Sequence, residues 1–162
     1  MIREIVKHPA DILTQVCKEV TEINEEIITL LDDMYETMVE YDGMGIAAPQ
    51  VNVPLRIAIV ELGEERTLIE MINPTVIETS GSSVDIEGCL SFPGLYGEVE
   101  RPSYVKIEAH DRYGQVYQLE AVDYDARCIL HEIDHLNGIL FDSKITRVYT
   151  EEELEEMYEE EE

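Results

Sequence analysis

Asp123-Tyr124-Asp125-Ala126-Arg127-Cys128-Ile129-Leu130-His131-Glu132-Ile133-Asp134-His135-Leu136-Asn137-Gly138 is the run from which the architecture of this chain can first be read. Asp123 is a good helix cap and Gly138 a good stop, so the run predicts a helix to about Asn137. Ala126, Ile129, Leu130, Ile133 and Leu136 recur at helical spacing and give it an apolar surface, which makes it a largely buried helix. His131 and His135 are four apart, so both imidazoles lie on one face and can reach one ion. Glu132 stands beside that ion without being forced to bind it. Two ligands for a divalent metal, with a carboxylate to take the proton of a water held there, are what a metal-dependent hydrolase needs. A pair of surface histidines beside an acidic residue has the same spacing, but buried histidines need a partner.

Upstream, Asn24 can cap a helix through about Tyr41, with Ile27, Leu31, Met34 and Met38 on its inner face and Asp42-Gly43 at its end. The glycine-rich stretch Gly43-Met44-Gly45-Ile46-Ala47-Ala48-Pro49-Gln50 follows. Strand-like runs are Arg56 to Val60, Leu68 to Ile72 and Thr75 to Ile77, and Phe92-Pro93-Gly94 reads as a turn. Tyr104 to Ala109 and Val116 to Ala121 alternate, which predicts a hairpin closed by Arg112-Tyr113-Gly114. Thr150-Glu151-Glu152-Glu153 is a capping box for a last helix, whose end at Glu159 to Glu162 is expected to fray. The expectation is an α+β fold: antiparallel strands around a central metal-binding helix, with one N-terminal and one C-terminal helix. Residues 1–162 are expected to form a single catalytic domain that ends in an acidic helix or tail from about residue 150.

The chain has 162 residues, 44% of them apolar, which is enough for a core without staples. Its three cysteines, at 17, 89 and 128, are odd in number and widely spaced, which argues against a disulfide framework. No signal-peptide core and no apolar run of membrane-spanning length is present in the sequence, so a cytoplasmic protein is expected. The formal charge of −26 repels phosphate backbones and anionic lipid, so neither nucleic-acid nor membrane binding is expected.

A two-histidine helix needs a third ligand, and three are conceivable. A histidine six residues after His135 is ruled out, because Phe141 stands there. A glutamate from the tail, among Glu151, Glu152, Glu153, Glu155 and Glu156, is formally possible and would give a metallopeptidase. Cys89, in Glu87-Gly88-Cys89-Leu90-Ser91, is the third.

The combination Gly43-x-Gly45-Ile46-Ala47-Ala48-x-Gln50, Glu87-Gly88-Cys89-Leu90-Ser91 and His131-Glu132-x-Asp134-His135, in that order, resembles the peptide deformylase family from about Ile5 to Ile145. The resemblance implies that Cys89, His131 and His135 hold one divalent metal ion, Fe2+ in the cell, with Zn2+, Ni2+ or Co2+ able to substitute. It implies hydrolysis of the formyl group from N-formylmethionyl nascent peptides, releasing formate. Glu132 is then the general base and acid, and the Gln50 amide and the Leu90 backbone N–H are the oxyanion donors. Met44, Gly45 and Cys128 are expected at the substrate, the missing side chain of Gly45 permitting close approach of the peptide. Glu87 and Arg101 are expected as an ion pair behind Cys89. Leu130 stands where the family usually has glutamine, and Ile46 where leucine is common. A relative that keeps the fold only as a binding module is the rival reading; it should have lost a ligand, the base or Gln50. Some members are thought to dock on the ribosome through a basic C-terminal helix, and the glutamates here argue against carrying that over.

Overall fold

The computed structural model describes residues 1–161. Eight strands run in chain order: β1 (Gly45–Ala47), β2 (Ile57–Leu62), β3 (Thr67–Ser80), β4 (Ser83–Cys89), β5 (Phe92–Arg101), β6 (Tyr104–His110), β7 (Val116–Val122) and β8 (Ile145–Tyr149). The helices are α1 (Glu25–Glu40), α2 (Asp123–Leu136) and α3 (Glu151–Glu161). One sheet has the order β1-β2-β3-β6-β7 and the other β4-β5-β8, and every strand pairing in them is antiparallel. The expected α+β architecture with a helix at each end and one in the middle is therefore what the chain adopts. Among the described residues no helix is long and apolar enough to cross a membrane.

The larger sheet is sandwiched between two helices, and β2 shows why. Its side chains alternate, yet nearly all are buried. Ala58 and Val60 pack with Ala126, Ile129, Ile133 and Leu136 of α2, while Ile57 and Ile59 pack with Leu31, Met34 and Met38 of α1. Burying each large apolar side chain contributes about 2 kcal/mol, so this strand and the two helix faces order one another. The result is that α2 lies across the sheet with its histidine face turned to the smaller sheet. There a third cluster, Leu13, Phe92, Val99, Leu140 and Phe141, closes the floor. Phe141, where a third histidine was excluded, packs its ring 5.6 Å from that of His131.

Several boundaries differ from the sequence reading. Asp123 does not cap α2: Val122 holds that position without a side-chain bond, and Asp123 has φ 53° with its N–H on the Ser103 carbonyl. The chain turns directly from β7 into α2 there, so the corner consumes the residue that would have capped. The Phe92-Pro93-Gly94 turn lies two residues early, at Leu90–Ser91, because Cys89 pairs with Phe92. The proline and glycine mark a bulge instead, between the pairs Cys89–Phe92 and Gly88–Tyr96. The runs at 68–72 and 75–77 are one strand, β3, with irregularities at Asn73–Pro74 and at Ile77. Asn73 bonds both backbone groups of Val20 with its side chain, which fastens the irregular strand to the N-terminal segment.

Asn24 caps α1 through the N–H of Ile27, and Thr150 caps α3 through the N–H of Glu153, as the sequence indicates. The hairpin turn at 112–114 is also present, closed by Asp111 and Gln115. Helix α3 runs from Glu151 to Glu161; Glu162, the last residue of the stretch expected to fray, lies outside the described residues. Gly138 ends α2 with φ 73°, and a Cβ there would lie 2.6 Å from the Thr14 carbonyl, so only glycine fits.

Candidate active site

Cys89 ends β4, just before the two-residue turn into β5, and the turn presents its thiol to α2. The ligand-capable atoms of Cys89, His131 and His135 all lie within 4.8 Å of one another. Cys89 Sγ is 3.4 Å from His135 Nε2, and the two imidazoles are 5.0 Å apart between centroids. The two histidines are almost wholly enclosed. No tail glutamate joins this cluster among the described residues.

Glu87 sets the orientation of His131. Its Oε1 is 2.7 Å from His131 Nδ1. Burial resists the ionisation of Glu87, but hydrogen bonds from His131 and Arg101 outweigh it and hold the carboxyl at about 2. An ionised carboxylate only accepts, so Nδ1 carries the proton and Nε2 faces Cys89. Arg101 grips Glu87 with two bonds, at 2.5 and 2.9 Å, and reaches Asp134 at 2.9 Å. The expected Glu87–Arg101 pair therefore exists and is buried.

Sequence reasoning missed a second arginine on the same carboxylate. Arg127 Nη1 bonds Glu87 Oε2 at 2.6 Å and the Val99 carbonyl at 2.8 Å. The available signal was its place four residues before His131 on one helix face. Asp134, within the His131-to-His135 motif, was given no role by the sequence reading; it accepts from Arg101 and pairs with Lys144 at 3.0 Å.

Glu132 is 5% exposed and burial, foremost, pushes its carboxyl up to about 7. Its Oε1 has no protein partner among the described residues. Gly45 lies directly against it: a Cβ on Gly45 would stand 2.7 Å from Glu132 Oε2. The absent side chain of Gly45 thus makes room for Glu132, while Gly45 also borders the cavity. Gln50 is 1% exposed. Its Oε1 accepts from the Ala47 N–H at 2.9 Å, and its Nε2 lies 3.1 Å from Ser91 Oγ and 3.5 Å from Cys89 Sγ.

Met44, Gly45, Gln50, Cys89, Leu90, Cys128, His131 and Glu132 all line one cavity of about 700 Å³. Glu87 reaches its wall as well, whereas His135 and Arg101 sit behind it. Tyr124 and Arg127 complete the side next to Cys128, whose thiol burial pushes up to about 12.

The donor set fits a metal ion. One thiol and two imidazole nitrogens converge, and three ligands leave a coordination position open, as in hydrolytic sites. Burial lowers His131, yet its hydrogen bonds to Cys89 and Glu87 outweigh that and push it up to about 10, so the site favours positive charge. A cation bound among these groups would supply that positive charge in place of a proton. His135 is held well below its ordinary range by burial and by His131, so it is neutral and able to ligate.

The polypeptide deformylase family profile matches residues 2–151. Peptide deformylase 1 of Bacillus anthracis is 53% identical over 154 residues, covering 95% of this chain and 99% of that protein. The Bacillus subtilis peptide deformylase 1 is 48% identical over 156 residues, with 96% and 98% covered. The crystal structure of a peptide deformylase from Legionella pneumophila superposes with a TM-score of 0.87 at 37% identity, over 90% of this chain and 87% of that one. A profile match over residues 2–151 and likeness over nearly the full length of both chains mean that this chain belongs to the polypeptide deformylase family.

Proposed function

We propose that the chain hydrolyses the formyl group from the N-terminal formyl-methionine of newly made polypeptides, releasing formate, in the cytoplasm. The observation that carries the reading is the convergence of Cys89, His131 and His135 on one point beside a buried, partner-free Glu132 carboxylate oxygen, in a chain of this family. A divalent metal held by Cys89 Sγ and the Nε2 atoms of His131 and His135 would polarise the formyl oxygen and acidify a water beside it. We assign Fe2+ to the cell, with Zn2+, Ni2+ and Co2+ able to replace it, since thiolate and imidazole accept all of these.

Glu132 takes the proton of the attacking water and returns it to the departing amine. Its carboxyl, pushed up to about 7, is matched to both tasks near neutral pH. As the formyl carbon becomes tetrahedral, its oxygen gains charge, and the Gln50 Nε2–H and the Leu90 N–H donate to it. Such a donor is worth roughly 3 kcal/mol of barrier. β1 is an edge strand of its sheet, so an extended peptide can lie beside Met44 and Gly45 and use its main chain for binding. Cys128 belongs to the wall that receives the methionine side chain. Glu87 and Arg101 hold His131 in the ligating tautomer. Helix α3 has no basic residue, so ribosome docking through it is not part of this reading, and neither is nucleic-acid or membrane binding.

The test is formate release from formyl-Met-Ala-Ser by protein purified anaerobically and loaded with Fe2+. Release that disappears on chelation and returns with metal is the expected result. No release from the loaded protein would refute the reading and leave a binding module with a deformylase fold.

A further inference from the structure

A donor amide is useful only if its nitrogen, not its oxygen, faces the reacting group. The Gln50 side chain could be turned either way by a half rotation, and two contacts settle which. At one end the Ala47 N–H, a donor only, lies 2.9 Å from Oε1. At the other end Nε2 lies 3.1 Å from the Ser91 hydroxyl, a group that can either donate or accept.

What fixes the hydroxyl is the N-terminal segment. Ser91 Oγ is 2.7 Å from the Val6 carbonyl, which can only accept. The single hydroxyl proton therefore goes to Val6, and a lone pair is left toward Gln50. The segment is itself tied on both sides, by the Val6 N–H to the Gln50 carbonyl at 2.7 Å and the His8 N–H to the Ser91 carbonyl at 2.9 Å. Ser91 is fully buried, so no water competes for these bonds. One Nε2 proton is thus used on Ser91, and the other is directed to the side of Cys89, 3.5 Å away.

We infer that Ser91 is a positioning residue: through its committed hydroxyl it holds the Gln50 amide with an N–H toward the reacting oxygen. This rests on the reading of Gln50 as an oxyanion donor. Ser91 is not among the residues that line the cavity.

The experiment is a double-mutant cycle on the Fe2+-loaded enzyme with formyl-Met-Ala-Ser. Ser91→Ala is expected to lower kcat about 10- to 100-fold, less than or equal to the loss from removing the donor itself, with KM within about twofold of the parent. Gln50→Ala should lower kcat about 100-fold or more. Adding Ser91→Ala to Gln50→Ala should then cost nothing further, because the residue through which Ser91 acts is gone. Ser91→Cys, which keeps the size of the side chain and a weak acceptor, should fall between parent and Ser91→Ala, and it carries the test if Ser91→Ala does not fold. Parental kcat in the Ser91 variants, with Gln50→Ala impaired, overturns this inference alone. The same loss on both backgrounds also overturns it, as it would mark a purely structural role. A fully active Gln50→Ala enzyme overturns the assignment of the donor and this inference with it, while formate release by the parent keeps the enzymatic reading separate.

Discussion

Replacing Gly45 by alanine separates two uses of the same small volume. The added Cβ would stand 2.7 Å from Glu132 Oε2, 3.0 Å from its Cγ and 3.1 Å from its Cδ. Ordinary contact begins at about 3.5 Å, so the carboxylate must retreat by roughly 0.8 Å or the backbone must yield. The backbone is poorly placed to yield. β1 is paired with β2 through Gly45–Val60, and the turn of α2 that carries Glu132 is held by fully buried Ile129 and Leu136. The side chain therefore moves, and a displacement near 1 Å of a proton-transferring group costs on the order of 100-fold in rate. We expect kcat for formate release to fall about 30- to 100-fold. Stability should fall by about 1–3 kcal/mol from overpacking, read by denaturant unfolding. Metal content should be that of the parent, because the three atoms nearest the new methyl all belong to Glu132. A variant with unchanged kcat and raised KM would refute this account: the space at Gly45 would then belong to the peptide, as the sequence alone suggested.

Glu132→Ala should bind metal as the parent does, by chelator competition, and lose about 100- to 10,000-fold in turnover. Cys89→Ala should lose both metal and activity; retention of both would return the third ligand to a tail glutamate. Acid stability should carry the mark of Glu87, whose folded-state carboxyl sits at about 2, below its ordinary 4.5. A depressed carboxylate stabilises fully above its unfolded value, so the contribution, about 3 kcal/mol, is present above pH 4.5 and lost as pH falls toward 2. Urea unfolding of the metal-free protein across that window should show this loss, and Glu87→Gln should lack that part of the slope.

The legible parts of this chain are those with a short period or a fixed offset. The α2 helix, its ligand face, the α1 cap at Asn24 and the hairpin at 112–114 each follow from residues within a few positions of one another. Cys89 and Gln50 could be joined to the histidines only through the combined motifs, because no local rule brings β4 to α2. What stayed hidden is set by tertiary demands that overrule local ones. Asp123 has the chemistry of a cap, but the corner from β7 takes it. Pro93-Gly94 has the chemistry of a turn, but the pairing of Cys89 with Phe92 makes it a bulge. Arg127 is an unremarkable helix residue until β4 lays Glu87 against it.

That second arginine changes the charge logic of the site. With Arg101 alone, Glu87 would balance one cation and could compete for the metal as a further ligand. With Arg101 and Arg127 both on it, its two oxygens are occupied by guanidinium donors and by His131 Nδ1. Glu87 can then fix the imidazole without coordinating. The hydrogen bonds of His131 to Cys89 and Glu87 outweigh its burial and favour positive charge at this point of the pocket. A divalent ion held by Cys89, His131 and His135 would therefore keep a coordination position that Glu87, committed to its guanidinium partners, does not take.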